Sequence, residues 1–442
     1  MHTTSSTWKN LMDNPLVSKN EKLVIANQTY YNSKMFSGGV VGDLMSEPED
    51  VGNAISRQLS VVLEPLGLIP RAAKIEYYVQ LTIRGSNNAI VQSSEWIRKG
   101  IFYIDTREED PETGLLNIVA FDKMMSAETP YLHSGYVGDW PRTDIDVVDD
   151  ICTLMGITLD SNTRSFINKS YQIPYPGVDD DGLTKREILS NIGVLYCGNF
   201  MITDDETLRL VPLEGLNPIE ALTLNRDMNK IRTAEAFPPY SCVTMYDESD
   251  REYTSGSVST NTRELYLSCP WATQAAVDNI LTRIQNLSYK PYTAQRAFID
   301  PAYELGDQVI VTNTLSVLNS MSWNFGRSLL VNLSTPFDQE VDHEYPYDAT
   351  LSREVKRKVS LGKSYYGVTI TKEEGIRVDR DDGKSEAVFN SDVFSMRALI
   401  DGAMRDRIYF DPIKGDYVFD GALGADAVFT DSLYAEVATC RS

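Results

Sequence analysis

Between Lys74 and Arg84 the chain alternates apolar and polar residues, with Ile75, Tyr77, Val79, Leu81 and Ile83 on one parity. A period of two over this length describes a strand with one face in a core. It excludes an amphipathic helix, whose apolar stripe recurs about every 3.6 residues. Ile55, Leu59, Val61 and Leu63 repeat the pattern upstream. Downstream, Trp96 to Asp105 and Gly114 to Asp122 read as two further strands joined by a charged turn, Arg107 to Thr113. Residues 22–123 are therefore expected to form an antiparallel barrel or sandwich, preceded by one helical turn at Trp8 to Met12.

The period then changes. Val148, Ile151, Cys152 and Met155 fall at i, i+3, i+4 and i+7, and Gly156 follows where a helix commonly ends in a left-handed residue. Thr184-Lys185-Arg186-Glu187 is a capping box that opens a second helix through Ile188, Leu189, Ile192 and Leu195. Gly198 to Thr203 is expected to pair with Leu208 to Pro212 across Asp204-Asp205-Glu206-Thr207, which completes a small α+β insertion over residues 136–213. Strand patterns return at Tyr240 to Met245, Gly306 to Val311 and Ser328 to Leu333. One helix interrupts them near Thr273 to Leu287, with Ala276, Ile280 and Ile284 on one face.

Near the C-terminus, Gly375 to Arg380 and Ser385 to Asn390 flank Asp381-Asp382-Gly383-Lys384, a hairpin signal. Ile408 to Asp411 and Asp416 to Asp420 flank Pro412-Ile413-Lys414-Gly415 in the same way. Two short hairpins separated by a polar stretch enclose little apolar area, so this segment is expected to finish its core against other chains.

A chain of 442 residues needs more than one core, and 42% hydrophobic residues suffice to build them. No stretch approaches the ~20 consecutive apolar residues of a membrane span, and Met1 to Asn10 lacks the apolar centre of a signal peptide, so folding in a cytoplasm is expected. Cys152, Cys197, Cys242, Cys269 and Cys440 are scattered and form no CxxC pair, which points to free thiols. The net charge of −22 is uneven. Residues 350–442 carry 14 basic against 16 acidic residues, so residues 1–349 hold 27 against 47. That surplus argues against a groove that grips nucleic acid, with simple solubility as the competing explanation for it.

Signals for catalysis are missing. His2, His133 and His343 are isolated in sequence, and no HExxH, GxSxG, GxxxxGKS or GxGxxG occurs. Asp179-Asp180-Asp181-Gly182 and Asp379-Arg380-Asp381-Asp382-Gly383 lack the spacing of a calcium loop, and turn chemistry explains them better. The 63 acidic residues allow many carboxylate pairs for glycoside hydrolysis without marking one. No catalytic, cofactor-binding or metal residue is nominated.

Several segments carry a family likeness. Ser94-Glu95-Trp96-Ile97-Arg98-Lys99-Gly100-Ile101-Phe102-Tyr103-Ile104-Asp105 followed by Val119-Ala120-Phe121-Asp122-Lys123-Met124 resembles the N-terminal domain of phage tail hub proteins. These are the baseplate hubs of contractile tails and the N-terminal regions of siphophage tail-associated lysins. Thr184 to Leu189 with Gly198-Asn199-Phe200 is similar to the family's middle domain, and Cys269-Pro270-Trp271-Ala272-Thr273 and Asp300 to Asp307 to its second β-domain. The likeness spans about residues 40–340 and rests on the order and spacing of these segments. Tyr365 to Thr371 through Tyr417 to Gly421 resembles linkers that follow the hub in tail-tip proteins of Gram-positive phages.

The resemblance implies a mainly β chain with two antiparallel β-barrels of tail-tube type. On these boundaries residues 1–135 form the first barrel domain, 136–213 the α+β insertion, 214–345 the second barrel domain and 346–442 a C-terminal β-hairpin segment for trimerisation. It further implies a structural, non-enzymatic homotrimer that forms a pseudo-six-fold ring at the virion tail tip, assembled in the host bacterial cytoplasm. Its expected partners are distal tail or tail-tube proteins above and spike or tip proteins below. Phage DNA would pass without specific binding, no cofactor would be held, and the chain would not enter a membrane. Trp96, Tyr409, Phe410, Tyr417 and Phe419 are the candidate assembly residues. A tail-delivered cell-wall hydrolase and a receptor- or carbohydrate-binding tail protein are the alternatives.

Overall fold

The computed structural model describes residues 2–45, 50–136, 138–216, 222–224, 230–233, 236–288, 290–311, 314–335, 364–365, 368–371, 375–380, 382–390, 394–411 and 416–420. The chain divides into two compact units, Met1–Gln339 and Glu340–Ser442. The fold is mainly β, with several antiparallel sheets and few helices.

The first unit is organised by an eleven-stranded sheet. Its order runs Lys230–Thr233, Tyr292–Phe298, Leu330–Ser334, Ser320–Asn324, Met35–Asp43, Gln58–Leu63, Leu116–Phe121, Ile90–Glu109, Lys74–Arg84, Ser18–Ile25 and Gln28–Tyr31. Strands from both ends of the unit thus share one sheet, joined where Ser320–Asn324 pairs with Met35–Asp43. Gly38 and Gly39 make that join possible. A Cβ on Gly39 would stand 1.9 Å from the Trp323 carbonyl oxygen, and one on Gly38 2.0 Å from that of Ser60, so only glycines let backbone approach from both sides.

Alternation resolves as expected for Lys74–Arg84, where Ile75, Tyr77, Val79 and Leu81 are buried. Two boundaries differ. Ile55 lies before the strand that begins at Gln58, and the strand holding Trp96 runs on to Glu109, so the turn falls at Asp110 to Leu115 instead of Arg107 to Thr113. The pairing of Glu108 and Glu109 with Asn117 and Leu116 extends the ladder through a stretch whose charged residues read as a turn. Helix α1, Ser6–Met12, is capped by the Ser5 side chain and buries Trp8 and Leu11, with Trp8 Nε1 donating to Asp300 Oδ1 at 2.9 Å. Each such burial contributes about 1.5–3 kcal/mol.

Helices α2 (Asp144–Met155), α3 (Ser161–Phe166), α4 (Lys185–Leu195) and α5 (Gln274–Ile284) form one core with the hairpin Gly198–Ile202/Thr207–Pro212 and the strand Tyr240–Tyr246. Gly156 ends α2 with φ 69°, and the Thr184/Glu187 capping box is formed in both directions. Among the described residues no helix is long and apolar enough to cross a membrane.

The second unit holds a seven-stranded antiparallel meander: Ser364–Tyr365, Val368–Thr371, Gly375–Asp379, Ser385–Phe389, Phe394–Ile400, Ala403–Asp411 and Asp416–Phe419. Both expected hairpins are present, but the stretch between them carries strand Phe394–Ile400, which bridges them into one sheet. Phe394–Ile400 carries one charge, Arg397; the other charged residues of the stretch lie outside that strand, with Arg405, Asp406 and Arg407 in the early part of Ala403–Asp411.

Candidate functional site

Among the described residues, three inward positions in the first unit's strands carry charge where the pattern calls for an apolar side chain: Lys19 and Glu21 in Ser18–Ile25, and Lys99 in Ile90–Glu109. Each is compensated. Lys19 Nζ donates to Glu21 Oε1 at 2.6 Å and to the Asn324 carbonyl at 2.7 Å, while Tyr77 OH and the Gly326 amide donate to Glu21 at 2.6 Å. This pair ties the first β-segment to residues 324–326.

Lys99 belongs to a larger cluster centred on Asp204, in the turn of the hairpin Gly198–Ile202/Thr207–Pro212. Lys99 Nζ donates to Asp204 Oδ2 at 2.6 Å and to the Tyr303 carbonyl at 3.0 Å. Arg57 donates to Asp204 Oδ1, to the Thr203 carbonyl at 3.1 Å and to Asp122 Oδ2 at 3.3 Å. His2 Nε2 lies 2.9 Å from Asp204 Oδ2. The Asp204 amide reaches Glu304 Oε1 at 3.4 Å, and Arg209 links Glu304 at 3.2 Å to Asp160, the N-cap of α3, at 3.4 Å. Residues from the N-terminus, the first β-segment, the insertion and the second β-segment therefore meet in one buried ion-pair junction. His2, isolated in sequence, is brought to it across 202 positions.

The electrostatics decide what this junction can do. Burial pushes the Asp204 carboxyl up, but Lys99 and Arg57 outweigh it and hold the group well below the usual carboxylate range. Glu304 is likewise opposed by burial and by Asp204, yet the neighbouring His2, Arg209 and Lys99 hold it down. A glycosidase acid needs the reverse, a carboxyl raised enough to keep its proton. The adjoining cavity, lined by Tyr77, Lys99, Asp204, Glu304 and Trp323, measures about 30 Å³, room for a water and not for a sugar ring. Ligand atoms of His2, Asp204 and Glu304 lie within 4.8 Å of one another. Arg57 and Lys99 already neutralise the carboxylate that a cation would need, so the donor set does not fit a divalent metal. The junction is a structural clamp.

An open cleft of about 370 Å³ lies among α3, α4 and α5, with Phe166, Tyr171, Tyr196, Lys169, Asn279 and Arg283 on its walls and no carboxylate. Tyr196 OH donates to buried Asp144 at 2.6 Å, and Asn279 donates to Tyr171 OH at 3.0 Å, so the polar groups serve packing. Of the two acidic runs in the sequence, Asp179 accepts from Ser134 in a turn beside His133, and Arg380 pairs with Asp382 in the other acidic loop. Cys152, Cys197, Cys242 and Cys269 are buried free thiols; Cys440 and His343 lie outside the described residues.

Trp96 is half-buried, with the Lys22 ammonium 4.5 Å from its ring and Tyr31 at 6.5 Å, so it packs across strands on the outer side of the large sheet. In the second unit Phe410 and Tyr417 stand opposite in register, 42% and 61% exposed, with ring centroids 5.4 Å apart. Tyr417 also meets Phe394 at 6.0 Å, and Phe394 meets Phe389 at 5.2 Å. Successive rings tilt by 64–88°, edge against face, so they offer no flat platform for a sugar. Tyr409, half-buried, points to the opposite face, and Phe419 extends the register beside Ile408.

No family model matches the chain, and no curated protein matches it in sequence. Solved structures with a similar backbone include the 43 kDa tail protein of prophage MuSo2 from Shewanella oneidensis, at 12% identity and a TM-score of 0.45 over 71% of this chain and 97% of that one. A tail protein from Neisseria meningitidis MC58 aligns at 11% identity and TM-score 0.43, over 72% and 96%. Prophage tail protein gp18 from Listeria monocytogenes EGD-e aligns at 11% and 0.45, over 72% and 94%.

Proposed function

We propose that this chain is a non-catalytic tail-tip hub, three copies of which form a pseudo-six-fold ring between the tail tube and the distal tip. The observation that carries the proposal is the pairing of two β-segments side by side in one eleven-stranded sheet, closed by the Gly38-Gly39 join and locked by the Asp204 junction. A ring of three chains needs each to present two equivalent β-units at a fixed mutual angle, and a buried ion-pair network holds an angle better than a loose linker does. Of the segments that resemble phage hubs, Ser94 to Asp105 and Val119 to Met124 lie in or directly after strands of this sheet, Thr184 to Leu189 and Gly198 to Phe200 in the insertion, and Cys269 to Thr273 and Asp300 to Asp307 in connections of the second β-segment.

On this reading the ring wall lines a channel for DNA, and the acidic surplus of residues 1–349 keeps the polyanion from lodging there. Basic side chains facing the channel would instead create salt-dependent traps. Tube proteins above and tip proteins below are the partners, and the location is the virion tail tip. The hydrolase alternative is disfavoured by the low-titrating Asp204/Glu304 pair. A receptor-binding role is favoured by one feature: Trp140, ringed by Tyr131, Tyr136 and Tyr175 at 6.0–6.5 Å, has a buried indole N–H without a hydrogen-bond partner.

Native mass spectrometry of the full chain tests the hub reading, with a species three times the 49.6 kDa protomer expected. Clearing of cell-wall substrate in a zymogram, abolished by one carboxylate substitution, would establish the hydrolase in its place.

A further inference from the structure

Three side chains of the first hairpin meet at one carboxyl group. Lys19 and Glu21 are wholly buried. Hairpin register sets Asn32 opposite Glu21, one step beyond the Lys22–Tyr31 pair, so Lys19, Glu21 and Asn32 lie on one face. The Glu21 amide donates to Asn32 Oδ1 at 2.8 Å, and Asn32 Nδ2 donates to Glu21 Oε2 at 3.0 Å. The reverse orientation would set Nδ2 against that amide N–H, so the hydrogen bonds fix which atom faces which. Lys19 Nζ lies 2.6 Å from Oε1 of the same carboxyl group. An amine and a carboxamide are thus each one hydrogen bond from a single buried carboxylate. These are the parts of an amide-transfer site: a nucleophile, a carbonyl polarised at its oxygen by a main-chain N–H, and an acid–base group touching both the nucleophile and the leaving nitrogen.

We propose that the folded chain joins Lys19 to Asn32 by an isopeptide bond, with Glu21 as the acid–base group. Glu21 takes a proton from the Lys19 ammonium. In a site closed to water, exchanging two charges for a neutral pair costs far less than it does in solution. The freed Nζ attacks Asn32 Cγ, and the charge developing on Oδ1 is met by the Glu21 N–H. The Nζ–Cγ bond forms and the Cγ–Nδ2 bond breaks. Glu21 returns its proton to Nδ2, and the second Nζ proton follows through the same carboxyl group. The products are one amide and one ammonium ion, Glu21 is again a carboxylate, and no oxidant or cofactor is consumed. Holding both groups at one carboxylate replaces an encounter in solution by a local one, and the flexible four-carbon lysine stem closes the remaining distance. Space for the departing molecule lies alongside. The cavity of about 30 Å³ is walled by Tyr77, whose hydroxyl donates to Glu21 Oε1, and by Trp323, whose ring lies 5.4 Å from Lys19 Nζ. It admits a molecule the size of water, and so of ammonia. The bond adds a covalent rung at the edge of the eleven-stranded sheet, where Gln28–Tyr31 is the last strand. An edge strand is held by one ladder instead of two, so it is the strand that a permanent bond secures most. The proposal does not depend on the hub reading.

Intact mass spectrometry of the full chain, denatured after purification, tests this together with tryptic mapping. The unaltered chain is expected to weigh less than its sequence by one ammonia. Trypsin is expected to leave Lys19 uncut and to release Asn10–Lys22 and Leu23–Lys34 as one branched peptide. Glu21→Gln, Asn32→Ala and Lys19→Arg are each expected to restore the full sequence mass. Full sequence mass in the unaltered chain, with Lys19 cleaved, overturns the proposal and leaves Lys19–Glu21 a passive ion pair. That measurement needs no variant to fold. Loss of ammonia with Lys19 still cleaved also overturns it, because ring closure at an asparagine then accounts for the mass. Loss of a water, with Lys19 linked to Glu21 inside one peptide, refutes the role of Asn32, and a bond that still forms in Glu21→Gln refutes that of Glu21.

Discussion

Replacing Asp204 by Asn removes one charge from a buried site while keeping its shape. Asp204 is 1% exposed and is shared by Arg57, Lys99 and His2. After the substitution Arg57 retains Asp122 and the Thr203 carbonyl, but Lys99 loses its ionic partner and keeps only neutral carbonyl acceptors, with Glu304 at longer range. Hydrogen bonds to charged groups contribute about 1.5–3 kcal/mol each, and breaking a buried pair so that a cation is left behind costs about 3–5 kcal/mol. A loss of about 4 kcal/mol is expected, which at a slope of about 3 kcal/mol/M moves a urea midpoint by about 1.3 M. Intrinsic fluorescence reports the transition, since all five tryptophans lie in this unit and Trp8 and Trp323 are buried in it. The exposed pair Arg164–Asp149 is the internal control, with side chains 52% and 40% exposed, and Asp149→Asn is expected to cost less than about 1 kcal/mol. If Asp204→Asn costs no more than Asp149→Asn, the junction does not clamp the unit.

Acid titration checks the same group independently. An unfolded Asp titrates near about 3.9, and the folded Asp204 titrates well below it, so both states are ionised above pH ~4 and the full stabilisation is present there. As pH falls, the unfolded chain takes up the proton first, and the stabilisation is lost progressively until pH passes below the folded value. Wild type is therefore expected to lose stability steeply below pH ~4, and Asp204→Asn to lose less over that window. Gly39→Ala is expected to cost at least about 2 kcal/mol, because the new Cβ meets the Trp323 carbonyl and not a side chain that can move; a neutral result in thermal unfolding would refute the account of the join. Thr184→Ala should cost about 1 kcal/mol by removing one half of the α4 capping box, measured by the same urea titration. Burial pushes the Cys152 and Cys269 thiols up to about 12, so both should resist a thiol reagent at mildly alkaline pH until urea unfolds the chain; prompt labelling of the native protein would contradict their burial.

Local rules carried far in this sequence. Period-two parity placed Ile75, Tyr77, Val79 and Leu81 in the core, and the capping box placed the start of α4 at Lys185. Both depend on residues close together in the chain. The candidate site was much less legible. Lys99 lies on the buried parity of its strand, and that misfit was the available signal for an ion pair, but nothing local names Asp204 as its partner 105 positions away. Gly38-Gly39 reads as a flexible pair until two flanking strands press on it. In the second unit the charges around Phe394–Ile400, at Asp392, Asp401, Arg405, Asp406 and Arg407, masked a strand that itself carries only Arg397.

The central claim is that three chains form one ring at a tail tip. Reconstruction of the intact particle by electron cryomicroscopy, with this chain fitted to the map, tests it most directly. The account predicts three copies around one axis, two β-segments from each facing the channel, and Asp and Glu outnumbering Lys and Arg along its wall. Six copies per ring, a position away from the tail tip, or a wall dominated by Lys and Arg would contradict it.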